Sequence, residues 1–228
     1  MNPSDRIVVA LDVETLQEAQ RLARSLEGIV GWFKIGLELF SAHGPEAVHA
    51  IRASGPVFLD VKLHDIPTTV ERAASRLADL DVGLLTIHAS GGPDMVRAAV
   101  DGLGDRGRVL AVTVLTSMSV PDREAVGMAT DEQHPARLAA MAVDAGAPGL
   151  VCAPGMLPAI RSAVGDGPLA VVPGVRPAGS TTDDHADPAT PAATLRAGAD
   201  LLVIGRPITR ADDPVAAAVA IAQEMAGA

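Results

Sequence analysis

Aromatic side chains make up only 2% of this 228-residue chain, with three Phe, one Trp and no Tyr. Proteins that bind single-stranded nucleic acid stack bases on aromatic platforms, and those platforms are missing. Positive charge is scarce too: 18 Lys and Arg stand against 28 Asp and Glu, for a formal net charge of -10. That balance, with no long block of one sign, argues against a nucleic-acid or anionic-membrane partner, so any phosphate must be held by a local group of cations. The lone cysteine, Cys152, excludes an internal disulfide, and its apolar neighbours in Gly149-Leu-Val-Cys-Ala mark a buried strand thiol in a reducing compartment. No apolar stretch approaches the roughly 20 residues that span a bilayer, and Met-Asn-Pro-Ser-Asp-Arg carries no apolar signal region behind it. A soluble cytoplasmic protein is expected.

What the chain does have is 48% hydrophobic residues, enough for a full core, arranged in short apolar runs. These are Ile7 to Asp12, Trp32 to Gly36, Val57 to Leu63, Leu84 to Ser90, Val109 to Ser117, Leu150 to Ala153, Leu169 to Val175 and Leu201 to Arg206. They recur on average about every 25 to 30 residues, the length of a strand, a helix and two loops. Between them lie stretches with helical spacing, such as Glu14 to Leu26, Thr68 to Leu80, Arg137 to Ala145 and Pro214 to Met225. Several open on Pro or a hydroxyl residue suited to a first turn. Near-continuous hydrophobicity in each strand suits a parallel sheet covered by helices. Eight such units predict a single closed (β/α)8 barrel, a TIM barrel, over residues 1–228. A doubly wound open sheet is the alternative, but no G-x-G-x-x-G turn follows the first strand. The connection from Arg176 to Pro191 is long and polar, which fits either a functional lid or a surface insertion.

The strand ends are polar, and barrel active sites collect at the C-terminal ends of strands. In Phe58-Leu-Asp-Val-Lys-Leu-His-Asp-Ile-Pro-Thr-Thr69, residues i and i+2 of a strand share a face, so Asp60 and Lys62 project together, with Asp65 just beyond. A charged pair pushed inward carries a desolvation cost that a purely structural role rarely justifies. Lys34 in Phe-Lys-Ile-Gly extends the set, and alternation of Lys34, Asp60, Lys62 and Asp65 removes the repulsion that like charges on one rim would suffer. Asp12 and His88 also end strands; singly, Asp12 could cap a helix starting near Glu14, and His88 could be a core histidine. Val172-Pro-Gly-Val-Arg176 and Val203-Ile-Gly-Arg-Pro place Gly174 and Gly205 at the mouth, where backbone N–H groups can approach an anion. Arg206 can grip phosphate oxygens in a fork, its alternative being a surface ion pair.

Together Val9-Ala-Leu-Asp12, Phe33-Lys-Ile-Gly36, Phe58 to Thr69, Val112-Thr-Val-Leu-Thr-Ser117, Val172 to Pro177 and Ile204-Gly-Arg-Pro-Ile208 resemble the orotidine 5'-phosphate decarboxylase family over nearly the whole chain. The resemblance implies conversion of orotidine 5'-monophosphate to uridine 5'-monophosphate and carbon dioxide, the last step of pyrimidine synthesis, with neither metal nor organic cofactor. It implies Lys62 as the acid that protonates carbon 6, Asp60 against the substrate carboxylate, and Lys34 completing the array while touching the ribose. Asp12 would hold a ribose hydroxyl, Ser117 the pyrimidine ring, and Arg206 the phosphate, with Arg176 and Gly205 at the same end of the substrate. Pro173 would lie over the base. Family members are homodimers with shared sites, so Asp65 and Thr69 would serve the neighbouring subunit. The family's usual glutamine after the seventh strand is missing: the run reads Asp183-Asp-His-Ala-Asp187, with His185 at that position as its expected substitute.

Two rivals stay open at this point. The 3-keto-L-gulonate 6-phosphate decarboxylases and hexulose phosphate synthases share the Asp-x-Lys-x-x-Asp pattern, but bind magnesium through an acidic residue where this chain has Lys34, a cation that would repel the metal. A silent, nucleotide-binding barrel has no need for a buried array tuned to proton transfer.

Overall fold

Eight parallel strands close on themselves in the computed structural model, which describes residues 2–177 and 189–227. The strands are β1 (Ile7–Ala10), β2 (Trp32–Gly36), β3 (Val57–Leu63), β4 (Leu84–His88), β5 (Arg108–Val112), β6 (Gly149–Val151), β7 (Leu169–Pro173) and β8 (Leu201–Ile204). Each pairs with its sequence neighbours, and β1 also pairs with β8, Val9 lying opposite Ile204. That closing ladder rules out the open doubly wound sheet and leaves no sheet edge.

Around the barrel run α1 (Leu16–Ser25), α2 (Leu37–His43), α3 (Pro45–Arg52), α4 (Pro67–Ala78), α5 (Pro93–Leu103), α6 (Val120–Ala125), α7 (His134–Asp144), α8 (Leu157–Val164), α9 (Pro191–Arg196), α10 (Arg206–Thr209) and α11 (Pro214–Ala226). Proline opens α3, α4, α5, α9 and α11, where its missing N–H costs nothing. No helix among the described residues is long and apolar enough to cross a membrane.

Strand alternation sorts the core in two. Inward residues such as Val8, Phe58, Leu84, Leu110, Val171 and Leu201 fill the barrel, while Ile7, Val9, Ile35, Leu59 and Leu85 pack outward on the helices. Burial on both faces is why the strands read as continuous apolar runs.

The sequence places most strand ends too late, because the polar residues beyond them belong to loops. β5 stops at Val112 rather than Ser117: Thr113 turns its N–H and its hydroxyl onto the Val151 carbonyl at 3.1 and 3.2 Å, and the chain leaves the ladder. β8 likewise stops at Ile204, and Arg206 opens α10 instead of ending the strand. The helices agree with expectation to within three residues at either end.

At the N-terminal end of the barrel, Arg161 from α8 ties three segments together. Its guanidinium donates to the carbonyls of Gly198, Gly165 and Pro168 and to the Asp200 carboxylate at 2.8 Å, and Asp200 in turn accepts the Ala170 N–H. Chemistry-bearing side chains gather at the other end.

Candidate active site

Parity along the strands decides which charges enter the barrel. Lys34 follows the inward Trp32 by two residues, Asp60 follows Phe58, and the register sets Ala10 against Lys34 and Gly36 against Asp60. Asp12, two residues beyond the inward Ala10, comes off the end of β1 on the same side. The Lys34 Nζ lies 3.1 Å from Asp12 Oδ1 and 3.5 Å from Asp60 Oδ2, and the Lys62 Nζ lies 2.7 Å from Asp60 Oδ1. The charges thus alternate in the order Asp12, Lys34, Asp60, Lys62. Gly36 makes room for this chain of charges, since a Cβ there would sit 2.8 Å from Asp12 Oδ1 and 3.1 Å from the Lys34 ammonium.

Two sequence expectations change here. Asp12 does not cap α1: Thr15 does, its hydroxyl accepting the Glu18 N–H at 3.2 Å, which leaves the Asp12 carboxylate for Lys34. Asp65 does not join the array within its own chain. It is exposed beyond β3, where its carboxylate accepts the Ile66 N–H at 2.7 Å, so Asp12 takes the fourth place.

Plain strand alternation is also not what brings Asp60 and Lys62 together. Between Leu59 and Leu63 the register of β3 on β4 slips: Leu59 pairs with Leu85 and Leu63 with Ile87, so the three residues Asp60 to Lys62 lie opposite Thr86 alone. Lys62 takes up the excess in a left-handed conformation with φ of 49°, a backbone state unfavourable to any residue with a Cβ. The Lys62 N–H, drawn out of the ladder by this bulge, donates to the Thr86 hydroxyl at 2.9 Å, and that hydroxyl donates to Asp60 Oδ1 at 2.9 Å. Thr86 is fully buried and was not singled out from the sequence. Its signal is faint but present: one hydroxyl on the inward parity of Leu84-Leu-Thr-Ile-His88.

Burial alone would raise the Asp60 pKa, but the charges of Lys34 and Lys62 and the hydrogen bonds from Lys62 and Thr86 outweigh it and hold the carboxyl below its usual 3.8. His88 is half-buried with its ring centroid 5.3 Å from that of His64. Burial first, then the charges of His64 and Lys62, push the His88 imidazole below its usual value, which favours the neutral form.

The array walls a cavity of about 620 Å³ at the C-terminal end of the barrel. Phe58, Val112, Val151 and Val203 form apolar surface within it, and Leu115, Thr116 and Ser117 line it after β5. Cys152 also lines it, and burial pushes its thiol up to about 12, so the group stays protonated. At the ends of β7 and β8 come Pro173, Gly174, Arg176, Gly205 and Arg206, Gly174 holding a φ of 78° as the chain leaves β7. Glu38, Thr209 and Arg210 complete the rim, none of them expected from the sequence. Carboxylates, ammoniums, guanidiniums and apolar surface in one cavity suit a flat polar molecule with an anionic tail.

Asp12, Lys34, Asp60, Lys62, Ser117, Pro173, Arg176, Gly205 and Arg206 therefore share one cavity. Asp65 and Thr69 do not line it; both are exposed, beside an Ile66 side chain that is 67% accessible. His185 and most of the long connection lie outside the described residues. No group of three or more His, Cys, Asp or Glu among the described residues is placed to hold a metal ion.

Comparison with known proteins agrees with this geometry. Residues 5–221 match the family described as Orotidine 5'-phosphate decarboxylase / HUMPS. A protein named orotidine 5'-phosphate decarboxylase from Anaeromyxobacter dehalogenans is 57% identical over 97% of this chain and 99% of its own length. Its counterpart in Anaeromyxobacter sp. strain K is 56% identical with the same coverage. The crystal structure of orotidine 5'-phosphate decarboxylase from Lactobacillus acidophilus superposes with a TM-score of 0.83 at 34% identity, covering 96% of this chain and 98% of that one.

Proposed function

The chain belongs to the orotidine 5'-phosphate decarboxylase / HUMPS family, and from that premise we propose that it decarboxylates orotidine 5'-monophosphate to uridine 5'-monophosphate without a cofactor, Lys62 delivering the proton. The observation that carries this reading is the alternating Asp12, Lys34, Asp60, Lys62 array in a cavity that also holds Arg206.

The substrate carboxylate lies beside Asp60. As the bond from carbon 6 to the carboxylate breaks, its electron pair stays on carbon 6 and carbon dioxide leaves. The Lys62 ammonium stabilises that developing carbanion, then transfers a proton to it and recovers one from water. Stabilisation of this kind grows toward the transition state, which is the condition for catalysis. Asp60 and Lys34 fix the ammonium's charge and place. Asp12 and Lys34 bind the ribose, Ser117 the pyrimidine, and Pro173 covers the base. Arg206, Arg176 and the Gly205 backbone take the phosphate, with His185 in the role usually filled by glutamine. Asp65 and Thr69, exposed and absent from their own cavity, serve the neighbouring subunit of a homodimer in the cytoplasm. Phosphate binding far from carbon 6 supplies energy for organising the site.

The test is the orotate absorbance of orotidine 5'-monophosphate mixed with purified protein. Wild type should bleach it, in the presence of a chelator as well, and Lys62→Ala should slow the reaction by at least 10²- to 10⁴-fold, the usual share of a positioned acid. An unreactive wild type, or a Lys62→Ala variant of equal rate, rejects the reading. Dependence on added magnesium would favour the keto-gulonate phosphate branch of the family, against which the Lys34 ammonium, paired to Asp12 and Asp60, already argues.

A further inference from the structure

The bulge in β3 takes the Lys62 amide out of the ladder and onto the Thr86 hydroxyl. We propose that Thr86 is a positioning residue for Lys62, one hydroxyl pinning both the lysine's backbone and its counter-ion. The inference rests on the role of Lys62 as proton donor given above.

The geometry leaves that hydroxyl a single arrangement. The Lys62 N–H can only donate and the ionised Asp60 can only accept, so the Thr86 oxygen receives the first at 2.9 Å and gives its own proton to the second at 2.9 Å. Asp60 Oδ1 accepts from Thr86 and from the Lys62 ammonium, while Oδ2 faces Lys34. The lysine is thereby held at both ends, its backbone by the Thr86 oxygen and its ammonium by a carboxylate that the same oxygen orients. A left-handed lysine relaxes toward extended geometry when nothing opposes it. Any such relaxation moves the ammonium relative to carbon 6, and misplacement by about 1 Å can cost about 10²-fold in rate. Thr86 itself is fully buried, so its hydroxyl is shielded from water at the centre of both bonds.

The groups that face Asp60 are Lys34 from β2, Lys62 from its own strand, and Thr86 and His88 from β4, with His64 against His88. Of these, Thr86 is the uncharged group that hydrogen-bonds the Asp60 carboxylate. Its loss removes a hydrogen bond that favours the ionised carboxylate, so the acid limb of the kcat profile should move to higher pH.

Thr86→Val keeps the shape and deletes the hydroxyl; Thr86→Ser keeps the hydroxyl. The Val variant should lose about 10- to 100-fold in kcat, with KM for orotidine 5'-monophosphate within about twofold and the acid limb shifted upward. The Ser variant should return kcat to within about threefold of wild type. A folded Val variant with wild-type kcat and an unmoved acid limb overturns the proposal. Should the Val variant fail to fold, hydrogen exchange in the unaltered protein decides: the Lys62 amide should be strongly protected, and exchange as fast as an exposed loop amide overturns the proposal equally. An inactive wild type with a protected Lys62 amide would instead reject the decarboxylase reading and leave the Thr86 contacts standing.

Discussion

Single residues settle the electrostatics of the mouth. Asp60 loses solvent on entering the barrel, yet two ammoniums and two hydrogen bonds hold its carboxyl below 3.8. A folded-state value lower than the unfolded one adds stability that is complete above the unfolded value and disappears as pH falls through the folded one. Asp60→Asn mimics the protonated carboxyl. Its melting temperature should therefore fall furthest below wild type near pH 7, and the gap should close as pH falls below about 4. Paired melts at the two extremes check this, and a gap independent of pH would contradict it. Asp60 and Lys62 were legible from the sequence because charge at the end of an apolar strand is conspicuous. Thr86 was not, since one hydroxyl in a buried strand is compatible with many roles and only the slipped register shows which group needs it.

Elements carry the site through their irregularities. β3 begins as an ordinary inward and outward strand, and its sequence predicts its limits, Val57 to Leu63, without error. Its bulge was illegible: the positions that usually announce a left-handed residue are Gly or Asn, and here the residue is Lys62. Most of the long connection after β7 lies outside the described residues. At the other end of the barrel the Arg161 fork makes a stability prediction. Its side chain is only 10% accessible and meets Asp200 together with three carbonyls. Arg161→Met leaves those acceptors without their donor, which should cost about 3 kcal/mol or more. For a chain of this length that is about 6–12 °C in melting temperature. Turnover at 25 °C should stay at the wild-type level because Arg161 lies at the end of the barrel away from the cavity. A thermal melt and a single assay suffice, and an unchanged melt would refute the account.

The whole molecule adds what no strand or helix supplies alone. Closure of β8 on β1 brings Arg206 and Asp12 to neighbouring parts of one rim, so guanidiniums and the alternating charges share a cavity in a protein of net charge -10. Barrel closure was legible from eight apolar runs alternating with helical stretches; pairing between subunits was expected only through the family resemblance. The exposed Asp65, Ile66 and Thr69 give that expectation a physical test. Lys62→Ala and Asp65→Asn proteins should each be inactive as pure dimers. Unfolded and refolded together in equal amounts, they should regain about a quarter of wild-type turnover, since half the dimers are mixed and each mixed dimer has one intact site. Mixed dimers that form and stay inactive would show that Asp65 serves its own cavity. The distance between the Arg161 fork and the catalytic mouth has a consequence for ancestry. A lineage built on this frame can exchange one substrate for another by drift at the rim, while the Arg161 fork that helps secure its folding lies at the far pole, out of reach of that selection.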